Sequence, residues 1–217
     1  MTKVLIDNKL DQYAVAFTSP ETEVLASLNR ETNMKIEHSQ MLSGHVQGAI
    51  LQMISYMIRP GNILEIGTYT GYSAICLAQG LAENGHLHTI DINEELQEMC
   101  FSYFCKAGVQ DKITQHIGNA ADIIPALDET FDLVFIDADK QGYGLYYDLV
   151  FDKVPVGGFI LADNVLFEGQ VVLPATEQGK NARAIHAFNE KIRADKRIEH
   201  VLMPVRDGLM LMRKKCD

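Results

Sequence analysis

The sequence predicts an α/β fold with a mostly parallel, doubly wound sheet, and three observations carry that expectation. From Asn62 onward, short apolar strand-like runs alternate with stretches of helical periodicity. One such run, Ile63 to Ile66, ends in the glycine turn Gly67-Thr68-Tyr69-Thr70-Gly71, from which a helical pattern departs. That order is how α/β folds build a small-molecule site beyond the carboxyl end of a strand, with unpaired N–H groups at the helix start. Finally, four strand ends carry acids or amides, namely Glu65, Asp91, Asp137 and Asp163-Asn164, where ligands of open sheets bind.

The elements follow in order. Ser19-Pro20-Glu21 has the make-up of a helix opening: serine caps, proline fits the first helical position, and glutamate favours the positive end. Val46, Ala49, Ile50, Met53, Ile54 and Met57 then form one apolar stripe at helical spacing, stopped by Pro60-Gly61. The Met53 and Met57 side chains are expected in the core, while Met41 lies outside the stripe.

Strand one spans Asn62 to Ile66, with a helix from about Gly71 to Ala82. Strand two, His86 to Asp91, leads to a helix carrying Leu96, Met99, Cys100, Tyr103, Phe104 and Ala107, ended by Gly108. Strand three is about Lys112 to Ile117, feeding Gly118-Asn119-Ala120, and a short helix covers Asp122 to Leu127. Strand four, Phe131 to Asp137, is almost wholly apolar, as a strand buried on both faces should be. A helix over Gln141 to Asp152 precedes strand five, Gly158 to Asp163, and a last helix runs from about Asn181 to Ala194. Ile198 to Pro204 and Leu209 to Arg213 form a hairpin about Asp207-Gly208. No repeat or linker divides the chain, so residues 1–217 are read as one domain, with a helical leader of about residues 1–60 packing on a 61–217 core.

Composition narrows the function. The chain of 217 residues carries 29 acidic against 19 basic residues, a formal charge of −10. Such a chain repels phosphate backbones and anionic lipid, which argues against nucleic acid and membrane surfaces as partners. No apolar run approaches the roughly 20 residues needed to span a bilayer. Met1-Thr2-Lys3-Val4-Leu5-Ile6-Asp7 is interrupted by charge too soon for a signal peptide. Cys76, Cys100, Cys105 and Cys216 form no Cys-x-x-Cys pair, and the three in helical patterns read as small apolar fillers. A reduced, cytoplasmic protein is expected. The seven histidines form no His-x-x-x-His pair and read as structural or solvent-facing.

Asp91 lies 24 residues after Gly67, where an acid accepts the ribose hydroxyls of an adenosine ligand. A dinucleotide wants G-x-G-x-x-G, but here Tyr69 stands where the second glycine should be. S-adenosyl-L-methionine, which has no phosphate and whose sulfonium tolerates an acidic pocket, fits better; dinucleotide binding is the alternative. Asp137, Asp163 and Asn164 add an oxygen-only set suited to a divalent cation, Mg²⁺ first, with Mn²⁺ or Ca²⁺ behind it. Lys140 follows Asp137 by three residues and could place an ammonium or amine beside that ion.

Met41-Leu42-Ser43-Gly44, Leu64 to Ser73, Asp91-Ile92-Asn93, Phe135 to Lys140 and Asp163-Asn164 resemble the cation-dependent O-methyltransferases, the catechol and caffeoyl-CoA enzymes. The resemblance runs from about residue 20 to Arg206-Asp207-Gly208. It implies a class I methyltransferase, a Rossmann-like three-layer sandwich whose seven-stranded sheet ends in an antiparallel hairpin, and commonly a homodimer. Carried over by position, it implies that Met41, Ser43, Glu65, Gly67, Tyr69, Ser73, Asp91, Ile92, Gly118 and Ala120 contact the methyl donor, with Thr68 and Asn119 in the same turns. It also implies that Asp137, Asp163 and Asn164 hold the ion, Lys140 lies near the reacting hydroxyl and Asp139 lines the donor pocket. Phe167-Glu168-Gly169 departs from the Trp-Asn-Gly of the plant caffeoyl-CoA enzymes, and Glu168 ill suits a polyanionic CoA tail.

The expected reaction is O-methylation of a small vicinal-dihydroxy aromatic. A phenol of pKa about 10 is ionised to about one part in a thousand at pH 7, a deficit near 4 kcal/mol that a bound cation would largely remove. The competing expectation is a non-catalytic adenosine- or dinucleotide-binding protein of the same fold, which has no need of the cation set or Lys140.

Overall fold

The computed structural model describes residues 8–217; the signal-peptide reading of residues 1–7 lies outside them. Helices α1 (Asn8–Ala16), α2 (Glu23–Lys35) and α3 (Gly44–Ile58) form the leader. The core follows as β1 (Asn62–Ile66), α4 (Tyr72–Ala78), β2 (His86–Asp91), α5 (Gln97–Ala107), β3 (Ile113–Ile117), α6 (Ala120–Ala126) and β4 (Leu133–Ile136). It continues as α7 (Tyr143–Phe151), β5 (Phe159–Ala162), α8 (Lys180–Ala194), β6 (Ile198–Met203) and β7 (Leu209–Lys214).

The seven strands form one sheet in the order β3-β2-β1-β4-β5-β7-β6. β1 to β5 are parallel, and β7 pairs antiparallel with both β5 and β6. β1 lies between β2 and β4, so the winding reverses there and leaves a crevice at the strand ends. Strand alternation builds the two outer layers. In β4, Leu133 and Phe135 pack with the α2–α5 side, whereas Val134 and Ile136 pack with α6–α8. All four are fully buried, as the apolar run predicts.

Several expectations need correction. Ser19-Pro20-Glu21 does not open a helix. Thr22 caps α2 instead, its hydroxyl accepting from the N–H of Leu25 at 3.3 Å, while Glu21 turns to accept from the Tyr72 hydroxyl at 2.5 Å. The buried face of α3 is Gln47, Gly48, Leu51, Ile54 and Ser55, rotated away from the predicted stripe. Met53 and Met57 are 59% and 76% exposed rather than core.

Close helix packing explains the rotation. A Cβ on Gly48 would lie 2.5 Å from the Tyr72 ring and 2.9 Å from Cys76 Sγ, so only a small residue lets α3 approach α4 there. One end of the same contact stops α4 before the predicted Ala82. Ser55 donates to the Leu77 carbonyl at 2.6 Å, and Gly80 abuts the Ser55 backbone. Among the cysteines, Cys76 and Cys100 fill the core, but Cys105 is exposed; all four are free. No helix among the described residues is long and apolar enough to cross a membrane.

Candidate active site

The turn after β1 is shaped by its neighbour β4. Gly67 has φ +102°, and a Cβ there would lie 2.0 Å from the Asp137 carbonyl oxygen. The glycine therefore admits the protein's own main chain, which seats Asp137 beside the β1 turn through its N–H to Ile66 O at 2.8 Å. Gly71, with φ +85°, starts α4, and Tyr69 between them is also left-handed at +48°.

Asp91 ends β2 and stitches this turn to the next. Its Oδ2 accepts from the Tyr69 N–H at 2.7 Å and its Oδ1 from the Asn93 N–H at 2.9 Å. A carboxylate has about four acceptor positions, so both oxygens keep capacity for ribose hydroxyls. Asn119 caps α6 through the Ala121 N–H at 3.0 Å.

Around these ends lies a cleft of about 960 Å³. Met41 and Ser43 from the leader line it, with Gly67, Thr68, Tyr69 and Ser73 from the β1 turn and α4. Asp91 and Ile92 follow β2, and Gly118, Asn119 and Ala120 follow β3. Asp137, Asp139, Lys140, Asp163 and Asn164 close the opposite side. The structure thus brings all but one of the predicted site residues to one cavity.

Glu65 is the exception: it lies buried beneath the cleft and does not line it. Its register partner Thr89 donates a hydroxyl to Oε2 at 2.6 Å, and Oε1 has no hydrogen-bond partner. Burial pushes its carboxyl up to about 8, eased by the neighbouring Ser73 and Thr89 hydroxyls and reinforced by Asp137 and Asp91. Burial thus favours the protonated form of Glu65.

Lys140 sits among oxygens. Its ammonium donates to Asp137 Oδ1 at 2.9 Å, Tyr143 Oη at 2.8 Å and Asn164 Oδ1 at 2.7 Å. Tyr143, fully buried, passes its own hydroxyl hydrogen to the Asp163 carbonyl at 2.9 Å. The Asp163 side chain is 4% exposed, and burial followed by the nearby Asp137 charge pushes its carboxyl above the usual range. Its Oδ2 accepts from Gln47 Nε2 at 2.6 Å.

No group of three or more His, Cys, Asp or Glu side chains that could hold an ion exists among the described residues. The set here is two carboxylates and an amide oxygen, and the ammonium between Asp137 and Asn164 marks where these oxygens attract a cation. Hard oxygen donors of this kind fit Mg²⁺, Mn²⁺ or Ca²⁺.

The remaining wall comes from the Phe167-Glu168 segment, which the sequence tied to the acceptor, and from the β6–β7 turn, which it did not. Phe167 and Glu168 follow β5, while Arg206 and Asp207 belong to the β6–β7 turn, and all four line the cleft. Asn164, Phe167, Glu168 and Arg206 all have positive φ, a conformation costly for side-chain-bearing residues and concentrated at this wall. Backbone bonds from Val165 N to Gly208 O and Leu166 N to Asp207 O stitch the two segments together. Tyr146 donates to Asp139, fixing the next part of the rim.

The sheet order, the reversed terminal hairpin and the cleft over the β1–β4 crevice define a class I methyltransferase. The family model described as O-methyltransferase matches residues 15–215, and the chain belongs to that family. A probable caffeoyl-CoA O-methyltransferase of Dictyostelium discoideum is 33% identical over 98% of this chain and 94% of its own. The caffeoyl-CoA O-methyltransferase of Petroselinum crispum is 37% identical over 89% of this chain and 85% of its own. Among solved structures, the tomaymycin-synthesis O-methyltransferase TomG of Streptomyces achromogenes, in complex with S-adenosylmethionine, superposes with a TM-score of 0.88. It is 28% identical, and the match covers 96% of each chain. The S-adenosylhomocysteine-bound methyltransferase PaMTH1 of Podospora anserina also gives 0.88, at 26% identity over 99% and 100%. The chain is an O-methyltransferase.

Proposed function

We propose that this enzyme transfers the methyl group of S-adenosyl-L-methionine to one hydroxyl of a small vicinal-dihydroxy aromatic, with a divalent cation held by Asp137, Asp163 and Asn164. The observation that carries the reading is the convergence of Asp137 and Asn164 on Lys140, with Asp163 lining the same edge of a cleft whose other end presents Asp91. Asp91 would take the ribose hydroxyls, the β1 turn with Gly67 and Ser73 the methionine part, and Ile92 with the Gly118–Ala120 turn the base. Met41 and Ser43 would close over the donor from the leader.

A divalent ion bound there would lower the pKa of the acceptor hydroxyl and hold its oxygen for attack. The chain's own residues do the rest. The cleft walls orient the acceptor oxygen in line with the donor methyl, so that the C–O bond forms as the C–S bond breaks, its electron pair returns to sulfur and the acceptor's hydroxyl proton passes to solvent water. Lys140, whose ammonium lies beside Asp137, Asn164 and Tyr143, stabilises the charge that develops at the acceptor oxygen. Burial favours the neutral form of Glu65 beneath the cleft.

Glu168 and Asp207 outnumber Arg206 on the acceptor wall, which favours a small neutral acceptor over a CoA thioester. A homodimer is part of the proposal, and the outward row of Met53, Tyr56 and Met57 on α3 is a surface that a second copy would cover. The test is a turnover screen of ortho-dihydroxyphenyl compounds with Mg²⁺ or Mn²⁺, against the same reactions in excess chelator. Full turnover in chelator would overturn the cation, and stabilisation by NAD but not by S-adenosyl-L-methionine would overturn the donor.

A further inference from the structure

Gln47 projects from α3, and its carboxamide is buried, with the residue 4% exposed. It joins two groups far away in sequence. Nε2 donates to Asp163 Oδ2 at 2.6 Å, and Oε1 accepts from Arg206 Nη1 at 2.9 Å. The same guanidinium reaches the Leu42 carbonyl from both terminal nitrogens, at 3.5 and 3.4 Å. Arg206 has no carboxylate within ion-pair distance among the described residues, so its directional bonds fall on neutral oxygens.

We propose that Gln47 and Arg206 are positioning residues that aim the Asp163 carboxylate at the cation site. The chemistry of the three groups dictates the order. A guanidinium has donors only, so the amide oxygen of Gln47 must face Arg206. The amide NH₂ must then face Asp163, and it holds the carboxylate at Oδ2. Because the grip is neutral, it orients Asp163 without cancelling the negative charge that a cation needs; a lysine or arginine at position 47 would form an ion pair and compete. Arg206 also clamps Leu42, between Met41 and Ser43, so one side chain couples the leader, the β6–β7 turn and the end of β5. Its left-handed backbone, φ +48°, is held by the stitching of that turn to residues 165 and 166.

The role rests on the cation reading above, and its test separates the two. Mn²⁺ affinity is measured by titration of the full chain saturated with S-adenosylhomocysteine, with the affinity for S-adenosylhomocysteine and the melting temperature as controls for folding. Gln47→Leu should weaken Mn²⁺ binding by about 10–100-fold, the range for residues that orient metal ligands, while the affinity for S-adenosylhomocysteine changes by less than about threefold. Arg206→Met should weaken Mn²⁺ binding in the same direction, and Arg206→Lys, which keeps a donor for Gln47, should recover part of the loss. If the two residues act as one relay, the double variant binds Mn²⁺ no worse than Gln47→Leu alone.

Unchanged Mn²⁺ affinity in Gln47→Leu overturns the role while leaving the cation reading intact, as do fully additive losses in the double variant. A wild-type chain that takes up no Mn²⁺ overturns the cation reading and this role with it. Should Gln47→Leu fail to fold, the Arg206→Met and Arg206→Lys pair decides, equal affinities with wild type counting against the relay.

Discussion

Lys140 Nζ lies 2.9 Å from Asp137 Oδ1, and the two side chains are only 15% and 18% exposed. An ion pair screened this far from water is not a surface contact of negligible value. The ammonium also contacts Asn164 and Tyr143, so it occupies the space between two of the three proposed ion ligands. Lys140 and a divalent ion therefore draw on the same oxygens.

Replacing that ammonium tests its part in the reaction. Lys140→Met should lower kcat by about 100-fold or more, the cost of losing a charge stabiliser in a partly dehydrated site. Mn²⁺ should bind the variant at least as tightly as wild type, since an internal competitor is gone. Steady-state kinetics and Mn²⁺ titration measure the two effects separately.

Asp163 makes the complementary case. Asp163→Ala should abolish detectable methylation while the calorimetric dissociation constant for S-adenosyl-L-methionine stays within about threefold of wild type. Excess chelator should do the same to the wild-type enzyme, and added Mg²⁺ or Mn²⁺ should restore turnover.

Asp91 sits at the other end of the cleft. Asp91→Ala should raise the donor dissociation constant by about 10–100-fold, the loss expected when charge-assisted hydrogen bonds to the ribose disappear. Part of that loss reflects the Tyr69 and Asn93 N–H groups that Asp91 holds. Calorimetry with S-adenosylhomocysteine measures it, and an unchanged constant removes Asp91 from the ribose site.

Glu65 makes a pH prediction with a definite sign. Its carboxyl titrates near 4.5 when solvated and near 8 when buried in the fold. Between those values the unfolded chain releases the proton and the folded chain keeps it. The stabilisation is thus complete below about 4.5, falls as pH rises, and is lost above about 8. In Glu65→Gln, which has no proton to lose, this component of the pH dependence should vanish. The variant should melt higher than wild type at pH 8, by about 2–4 °C for each kcal/mol recovered. Thermal scans of the ligand-free protein at pH 5 and pH 8 compare them.

Much of this enzyme was legible in its sequence, and the reason is local. β1 and β2 have the predicted limits because apolar residues recur along them and Gly61, Gly67 and Gly85 punctuate their ends. Gly108 closes α5 in a left-handed conformation for the same reason. The strand-end acids converge because a parallel sheet places every strand's carboxyl end on one edge. The sequence misled in part at α3: Ile54 is buried as predicted and Ile50 packs on the core, but Met53 and Met57 face outward. The contact with α4 needed small residues, and closeness of approach outweighed hydrophobicity.

The chain's own order of residues thus determined the alternating elements, the glycine turns and the acids that end the strands, since each depends on neighbours a few positions apart. Tertiary packing decided the rest: Gln47 meets Asp163 across 116 positions and Arg206 across 159, and Glu65's carboxyl is pushed up only because the sheet and helices cover it. The physical reason is that a side chain's direction, hydration and protonation follow from what packs against it. That is set by how helices rotate and how closely they approach the sheet, which local periodicity does not encode.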